Sequence, residues 1–393
     1  MSGIYLVSAR RTAIGTFGGT LKDFEPAELG TIAARAAIED GGVDPAAIGT
    51  VVFGQVIPTQ PRDAYLARMI GLGAGLPEET PAMTINRLCG SGLQAILTAA
   101  NSLAVGDAEV ALAGGAEVMS RSPYYAPAVR WGAKMGDATL LDGLNGALTD
   151  PFNQVLMGVT AENVAERYAV DRARQDETAA ESHRRAARAI EEGRFAGQIV
   201  PVEVKQRKGT ITFKVDEHVR ADTTRESLSG LRTLFRAEGG TVTAGNASGI
   251  NDGAAAVIIA SEAAVARHGL KPIARLVSWG HAGVDPAYMG IGPVPATKQA
   301  LQRAGLSVGD LDLVESNEAF AAQACAVADQ LGFDPEKTNT NGSGISLGHP
   351  VGATGAILTT KLVHELHRVS GRYGLATMCI GGGQGIAAIF EVV

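Results

Sequence analysis

Read for apolar and polar positions, the chain falls into three stretches. Near the start, Val51 to Val56 (VVFGQV) is a short apolar run of strand type. Leu93 to Leu103 is apolar and Ala-rich over a length that predicts a helix. Ala108 to Gly114 (AEVALAG) predicts a buried strand that ends in glycines. Strands and helices alternating in this way predict a parallel sheet covered by helices. From about Arg121 to Thr243 the apolar content falls and the charge rises, as expected of a long insertion. Within it, Arg172 to Arg194 predicts a charged amphipathic helix. Lys205 to Lys214 (KQRKGTITFK) predicts a basic hairpin with a Lys-Gly turn. Both are expected at the surface. Ala244 to Ser261 (AGNASGINDGAAAVIIAS) then returns to a Gly-rich turn, a helix and a strand.

The ends of the chain echo each other. VVFGQV, INRLCGSGLQAILTA and AEVALAGGAEVMS follow in order near the start; DLVESNEAF, TNGSGISLGHPVGATGAILTT and YGLATMCIGGGQGIAAIFE follow in order near the end. Each series runs strand, Gly-rich turn into helix, then strand into a Gly-rich bend. This is the pattern of a duplicated α/β unit, and also of two unrelated α/β halves.

Composition sharpens this picture. Of 393 residues, 50 are glycine, 46% are hydrophobic and only 5% are aromatic. The core is therefore built from Ala, Val, Ile and Leu, with glycines permitting close backbone approach. With 34 Lys and Arg against 41 Asp and Glu, the net charge is −7. No generic nucleic-acid partner is expected, though a local basic patch for a phosphorylated small molecule is compatible with this charge. No apolar run long enough to span a bilayer is expected, and no membrane partner. The first residues, MSGIYLVSARRTAIGTFGG, read as a strand and a basic turn, not as a secretory leader. The end, AAIFEVV, carries no retention or peroxisomal address. The three cysteines, Cys89, Cys325 and Cys379, lack metal-ligand spacing and are odd in number. Free thiols and a cytoplasmic setting are expected, with no catalytic metal.

Four positions could carry chemistry. Cys89 lies in Asn86-Arg87-Leu88-Cys89-Gly90-Ser91-Gly92, just ahead of the predicted helix, where the helix N-terminus would favour a thiolate. A small cysteine at a tight turn would look the same. Cys379 opens CIGGGQG, a glycine cluster that implies close approach of a ligand or of another chain segment. This run lacks the G-x-G-x-x-G order of a dinucleotide loop. His349, in GHPVGATG, is pinned at a turn before an apolar helix, as a base or as a structural imidazole. Asn317 closes the strand DLVES, where active sites of α/β sheets lie, or else caps a helix. A thiol with a nearby imidazole is the usual pairing for covalent catalysis. A second thiol would allow a second proton transfer. Of the other histidines, His183, His218, His268, His364 and His367 lie in charged or amphipathic surroundings and are expected at the surface, while His281 lies in a Gly-rich loop that fits either a surface or a buried place.

Together these motifs resemble the thiolase family along the whole chain. They are NRLCGSG at 86–92, GGAEVMS at 114–120, MGVTAEN at 157–163, AGNASGINDGAAA at 244–256, NEAF at 317–320, GHPVGATGA at 348–356 and CIGGGQG at 379–385. The chain is most similar to bacterial biosynthetic-type β-ketothiolases. RTAIGTFGG, NGSGISLGHP and HAGVDP resemble the branch of broad chain-length tolerance associated with polyhydroxyalkanoate synthesis. The resemblance implies an α/β fold of two similar βαβαβαββ halves in five α-β-α-β-α layers. Residues 1–120 plus 244–272 would form the first half, 273–393 the second, and 121–243 an inserted loop domain. It also implies a homotetramer, a dimer of dimers.

The implied activity is acyl-CoA C-acyltransfer, a reversible Claisen condensation of an acyl-CoA with acetyl-CoA or thiolysis of a short-chain 3-ketoacyl-CoA. Coenzyme A and acyl-CoA would be substrates, with no further cofactor. The resemblance makes Cys89 the acylated nucleophile, His349 its base, and Cys379 the acid/base at the α-carbon. One oxyanion hole would use His349 and a water held by Asn317; the other would use the N–H groups of Cys89 and Gly381. CoA would meet Arg220, Ser227 and Ser248, with Met157, Phe235, Ala319 and Phe320 lining the pantetheine channel. Close members often carry His where this chain has Leu156, so Leu156 is expected to make the tunnel more apolar. Two alternatives share the ancestry: a decarboxylating condensing enzyme of the ketoacyl synthase type, and a non-catalytic acyl-CoA-binding relative.

Overall fold

The computed structural model describes residues 3–393. In the first half, β1 (Ile4–Thr12) leads to α1 (Pro26–Gly41), β2 (Thr50–Gly54), α2 (Leu66–Gly73), β3 (Ala82–Ile85), α3 (Ser91–Val105) and β4 (Val110–Val118). The insertion carries α4 (Met157–Arg167) and α5 (Arg172–Glu191). The chain returns through β5 (Asn251–Ser261) and enters the second half: β6 (Ala274–Gly283), α6 (Pro293–Ala304), β7 (Leu313–Ser316), α7 (Ala321–Leu331), α8 (Val351–Val369), β8 (Tyr373–Ile380) and β9 (Gln384–Val392).

The strands lie in the order β7-β8-β9-β6-β1-β5-β4-β2-β3. This order contains the echo seen in the sequence. From its edge inward, the first half reads β3-β2-β4-β5-β1 and the second β7-β8-β9-β6. In both halves the inner strands are antiparallel and the outer ones parallel. Where the second half lacks a counterpart of β3, a lone parallel bridge joins Val314 to Thr338. The halves meet at a short antiparallel seam, Tyr5 with Arg275 and Leu6 with Ala274.

Helices α1 and α2 cover the outer face of the first half, and α6 that of the second. Between the half-sheets lie α3 and α8, packed on each other and on strands from both sides. Strand β5 (NDGAAAVIIAS) is buried at every position, as a strand covered on both faces must be. Glycines set the spacing of the central layer. A Cβ on Gly92 would come within 2.7 Å of the backbone nitrogen of Ala356, and one on Gly355 would overlap Leu93. The two helices thus cross backbone to backbone.

Several expectations need correction. Leu88–Val105 is long and apolar enough by composition to cross a membrane, yet its helical part is α3, the packed central helix of the fold. The strand at 108–114 continues through Gly114 and Gly115 to Val118, because those glycines let β5 and the start of α8 come close. Ala244–Ser261 holds a turn and then β5 rather than a helix; its alanine run serves a strand because both faces are covered. The basic hairpin pairs Val202–Gln206 with Gly209–Phe213, so the turn is Arg207-Lys208. Helix α5 is charged but not wholly exposed: Gln175, Asp176, Ala179, Ser182, His183, Ala186 and Ala189 are buried. His183 stacks on His218 and is therefore not a surface residue.

A buried ion pair ties the insertion to the first strand. Both Arg11 terminal nitrogens bond the Asp216 carboxylate at 2.7 and 2.9 Å, and Asp216 also accepts the Ile14 N–H.

Candidate active site

The N-termini of α3 and α8 each present a candidate residue, and the ends of β7 and β8 present two more. Cys89 precedes α3 in a turn closed by its neighbours. The Leu88 N–H donates to Asn86 Oδ1, and Ser91 Oγ accepts the Arg87 N–H while donating to the Leu88 carbonyl. Leu88 adopts a left-handed φ of 44° in this turn, a conformation that costs an L-residue of this kind about 1 kcal/mol. A Cβ on Gly90 would press within 2.6 Å of the Ile380 side chain, the neighbour of Cys379, which the glycine lets close on this turn.

Cys89 keeps some accessible surface although protein surrounds it. Burial pushes its thiol up to about 11, opposed by the N–H of Gly381 and by its own N–H. The helix-terminus argument from sequence therefore does not prevail: desolvation outweighs it. Cys379, at the end of β8, is buried with Met289 and Ala319. Burial, and then the adjacent Cys89, raise its thiol far above the ordinary range. Cys325, the remaining thiol, contacts Thr178 Oγ1 at 3.1 Å between α7 and α5, away from these elements.

His349 is buried just before α8. Its backbone N–H donates to Asn251 Oδ1 at 2.9 Å. Gly348, at φ 108°, lets Asn251 pack where a Cβ would stand. Ring atom Nε2 lies 3.3 Å from Asn317 Nδ2, and Nδ1 lies 2.6 Å from Thr354 Oγ1. Burial lowers the imidazole to about 4, so it is neutral at physiological pH. Asn317 is held by its N–H to the Thr377 carbonyl, and its Oδ1 has no hydrogen-bond partner among the described residues.

A cavity of about 410 Å3 reaches this cluster. Leu156, Met157, Phe235, Ser248, Phe320 and His349 line it together. Ser248 is strapped to the NEAF turn by its N–H to the Ala319 carbonyl, and Phe235 meets Phe320 edge to face. Ala319 packs with Cys379 beside the wall. Arg220 and Ser227 are brought to the surface of the insertion and do not line this cavity. The Arg220 N–H donates to His183 Nδ1, and Ser227 Oγ accepts the N–H of Thr224, the cap of the short helix Arg225–Ser229.

Sequence reasoning missed three supports. Asn251 holds the His349 backbone. Thr354 holds its ring. Glu117, at the end of β4, accepts the N–H groups of Val56, Ile57 and Gly352 at 2.9, 3.1 and 2.9 Å. It joins the turn beside Cys89 to the start of α8, and burial pushes its carboxyl up to about 8. A signal existed for Thr354 alone, which stands five residues after His349 and so faces back along the first turn of α8.

A thiol that can be reached, a neutral imidazole, a second buried thiol and converging backbone N–H groups can carry an acyl group through a covalent thioester. Comparison with known proteins agrees. The thiolase N-terminal domain matches residues 4–263 and the thiolase C-terminal domain residues 270–392. Beta-ketothiolase BktB of Cupriavidus necator is 63% identical over 388 residues, covering 99% of this chain and 98% of that protein. The acetyl-CoA acetyltransferase of the same organism is 49% identical over 393 residues and 100% of both chains. The crystal structure of human mitochondrial 3-ketoacyl-CoA thiolase in complex with CoA superposes with a TM-score of 0.97, at 49% identity, over 100% of this chain and 98% of that one. Both halves of the chain, and the two thiols they bring together, thus belong to the thiolase family.

Proposed function

We propose that this enzyme, an acyl-CoA C-acyltransferase of the thiolase class, joins an acyl group carried on Cys89 to acetyl-CoA and runs the same path in reverse to cleave short-chain 3-ketoacyl-CoA. The observation that carries the reading is the convergence of two thiols. Cys89 and Cys379 come from different halves, yet Cys89 stands close enough to raise the Cys379 thiol, and the Gly381 N–H favours charge on the Cys89 sulfur. Neither a decarboxylating condensing enzyme nor a non-catalytic acyl-CoA binder finds support. The similar proteins are thiolases and acetyltransferases, and the site keeps both thiols.

In this reading Cys89 gives its proton to His349 and attacks the thioester carbonyl. The developing oxyanion meets the N–H groups of Cys89 and Gly381, both of which favour negative charge beside that sulfur. CoA leaves with the Cys379 proton, and acyl-Cys89 remains beside protonated His349 and a Cys379 thiolate. The Cys379 thiolate then takes the α-proton of acetyl-CoA, the enolate attacks acyl-Cys89, and the released Cys89 thiolate recovers its proton from His349. The resulting enolate oxygen meets protonated His349 and a water on Asn317 Oδ1, an atom free to accept it. The apolar wall of Leu156, Met157, Phe235 and Phe320 holds pantetheine, and Ser248 its amides. Arg220 and Ser227 meet the nucleotide end at the surface.

Leu156 widens the range of acyl chains by keeping the tunnel wall apolar. The active form is a cytoplasmic homotetramer: the exposed Tyr124, Trp131 and Met135 offer apolar surface for assembly, and free thiols need a reducing compartment. No metal or further cofactor is required, so EDTA leaves the rate unchanged. Intact-mass analysis after acetyl-CoA addition tests the core of the proposal. Wild type should gain one acetyl group and Cys89→Ser none. Full turnover by Cys89→Ser would sink it.

A further inference from the structure

We propose that Thr354 is a positioning residue for His349 that fixes its tautomer, keeping the ring proton on Nδ1 so that Nε2 alone gains and loses a proton. This role rests on the reading of His349 as the base for Cys89. A threonine hydroxyl has one proton to give. Thr354 Oγ1 lies 2.9 Å from the Pro350 carbonyl, which can only accept, so the hydroxyl proton is committed there. This is the familiar bond of a helical threonine to the carbonyl four residues back. Oγ1 also lies 2.6 Å from His349 Nδ1. With its own proton already engaged, Oγ1 accepts at that contact and Nδ1 carries the hydrogen.

The other side of the ring agrees. Nε2 faces the Asn317 Nδ2 group at 3.3 Å, a donor that suits a lone pair and opposes a second N–H. Asn317 Oδ1 stays free of the ring. At rest Nε2 is thus an open base. When the Cys89 S–H bond breaks, its proton forms the Nε2–H bond and the electron pair stays on sulfur. The imidazolium then keeps the same Nδ1–H bond to Thr354, and the hydroxyl need not turn. Nε2–H now points where a substrate oxygen can use it. When the Cys89 thiolate is released at the end of the turnover and takes its proton back, the ring returns to the starting tautomer.

The relay contains no carboxylate. The chain runs imidazole, hydroxyl, carbonyl, all neutral and all from residues 349–354. It orients the ring without holding an imidazolium in the resting enzyme, as a buried acid would.

Thr354→Val removes the hydroxyl at nearly constant shape, and Thr354→Ser restores it. Three measurements separate the outcomes: the single-turnover rate of Cys89 acetylation, the ¹⁵N spectrum of the labelled imidazole assigned by loss in His349→Asn, and thermal unfolding. In wild type the ring should carry its proton on Nδ1. In Thr354→Val a share of the ring should move to Nε2–H and acetylation should fall roughly tenfold to a hundredfold, with unfolding little changed. Thr354→Ser should recover both the spectrum and the rate. A resting wild-type ring protonated at Nε2, or Thr354→Val acetylated at the wild-type rate, overturns this proposal and leaves the thiolase reading standing. A wild-type enzyme that never acetylates Cys89 overturns both.

Discussion

Gly355 of α8 sits against the backbone of Leu93 in α3, so close that a single methyl group would overlap it. Gly92 makes the reciprocal contact with Ala356. The helices that deliver Cys89 and His349 are therefore spaced by two hydrogen atoms. Gly355→Ala should force them apart, costing about 1–3 kcal/mol as an overpacked core does. Its urea midpoint should fall, and acetylation of Cys89 in the folded enzyme should slow. A variant equal to wild type in both would refute this dependence on spacing.

Leu156 stands at the N-cap of α4 and on the wall of the cavity. Leu156→His puts a polar ring there. We expect kcat/KM to fall more for C6 than for C4 3-ketoacyl-CoA, by a few fold, since a lost apolar contact of this size is worth roughly 1 kcal/mol. An identical length preference in the two enzymes would count against the tunnel assignment.

Glu117 receives three backbone N–H groups, and a glutamine has only one acceptor oxygen. Glu117→Gln should leave a buried N–H unpaired, at about 1–3 kcal/mol. It should also ease ionisation of Cys89, because the carboxylate raises that thiol. The pH dependence of iodoacetamide labelling should then shift to lower pH than in the wild type. A midpoint that stays or rises would show that Glu117 does not act on Cys89.

His183 is held to about 4, first by burial and then by His218 and Arg220, with Asp222 opposing. Its pKa is lower folded than the ordinary 6.5, so the unfolded chain binds the proton more readily. The destabilisation is absent above about pH 6.5 and grows as pH falls towards 4. His183→Asn keeps an acceptor for the Arg220 N–H and removes the titration. The urea midpoint of the variant should decline less steeply than wild type between pH 6.5 and 4. Equal slopes would assign the acid sensitivity elsewhere.

The parts of the fold visible in the sequence were those whose signal is local. The turn around Cys89, the apolar α3 and the glycines after Cys379 each combine a bend with a periodic segment, and the duplication shows in their order. What escaped depends on packing. Ala254 to Ala260 can serve a helix or a strand, and only cover on both faces decides for β5. His183 reads as surface because its neighbours are charged, yet one face of α5 is turned inward. Cys89 reads as an activated thiol from its helix terminus, and burial reverses the sign. Thr354 and Glu117 are ordinary letters until the atoms they touch are known.

The seam between the halves is two residue pairs long, yet the chemistry straddles it: Cys89 belongs to the first half, and His349, Asn317 and Cys379 to the second. A chain whose halves have each folded but not docked holds Cys89 as an unassisted thiol with no base to meet it. Acetylation of Cys89 by acetyl-CoA is thus a signature of completed assembly, and an acetylation time course during refolding would read the moment of docking directly.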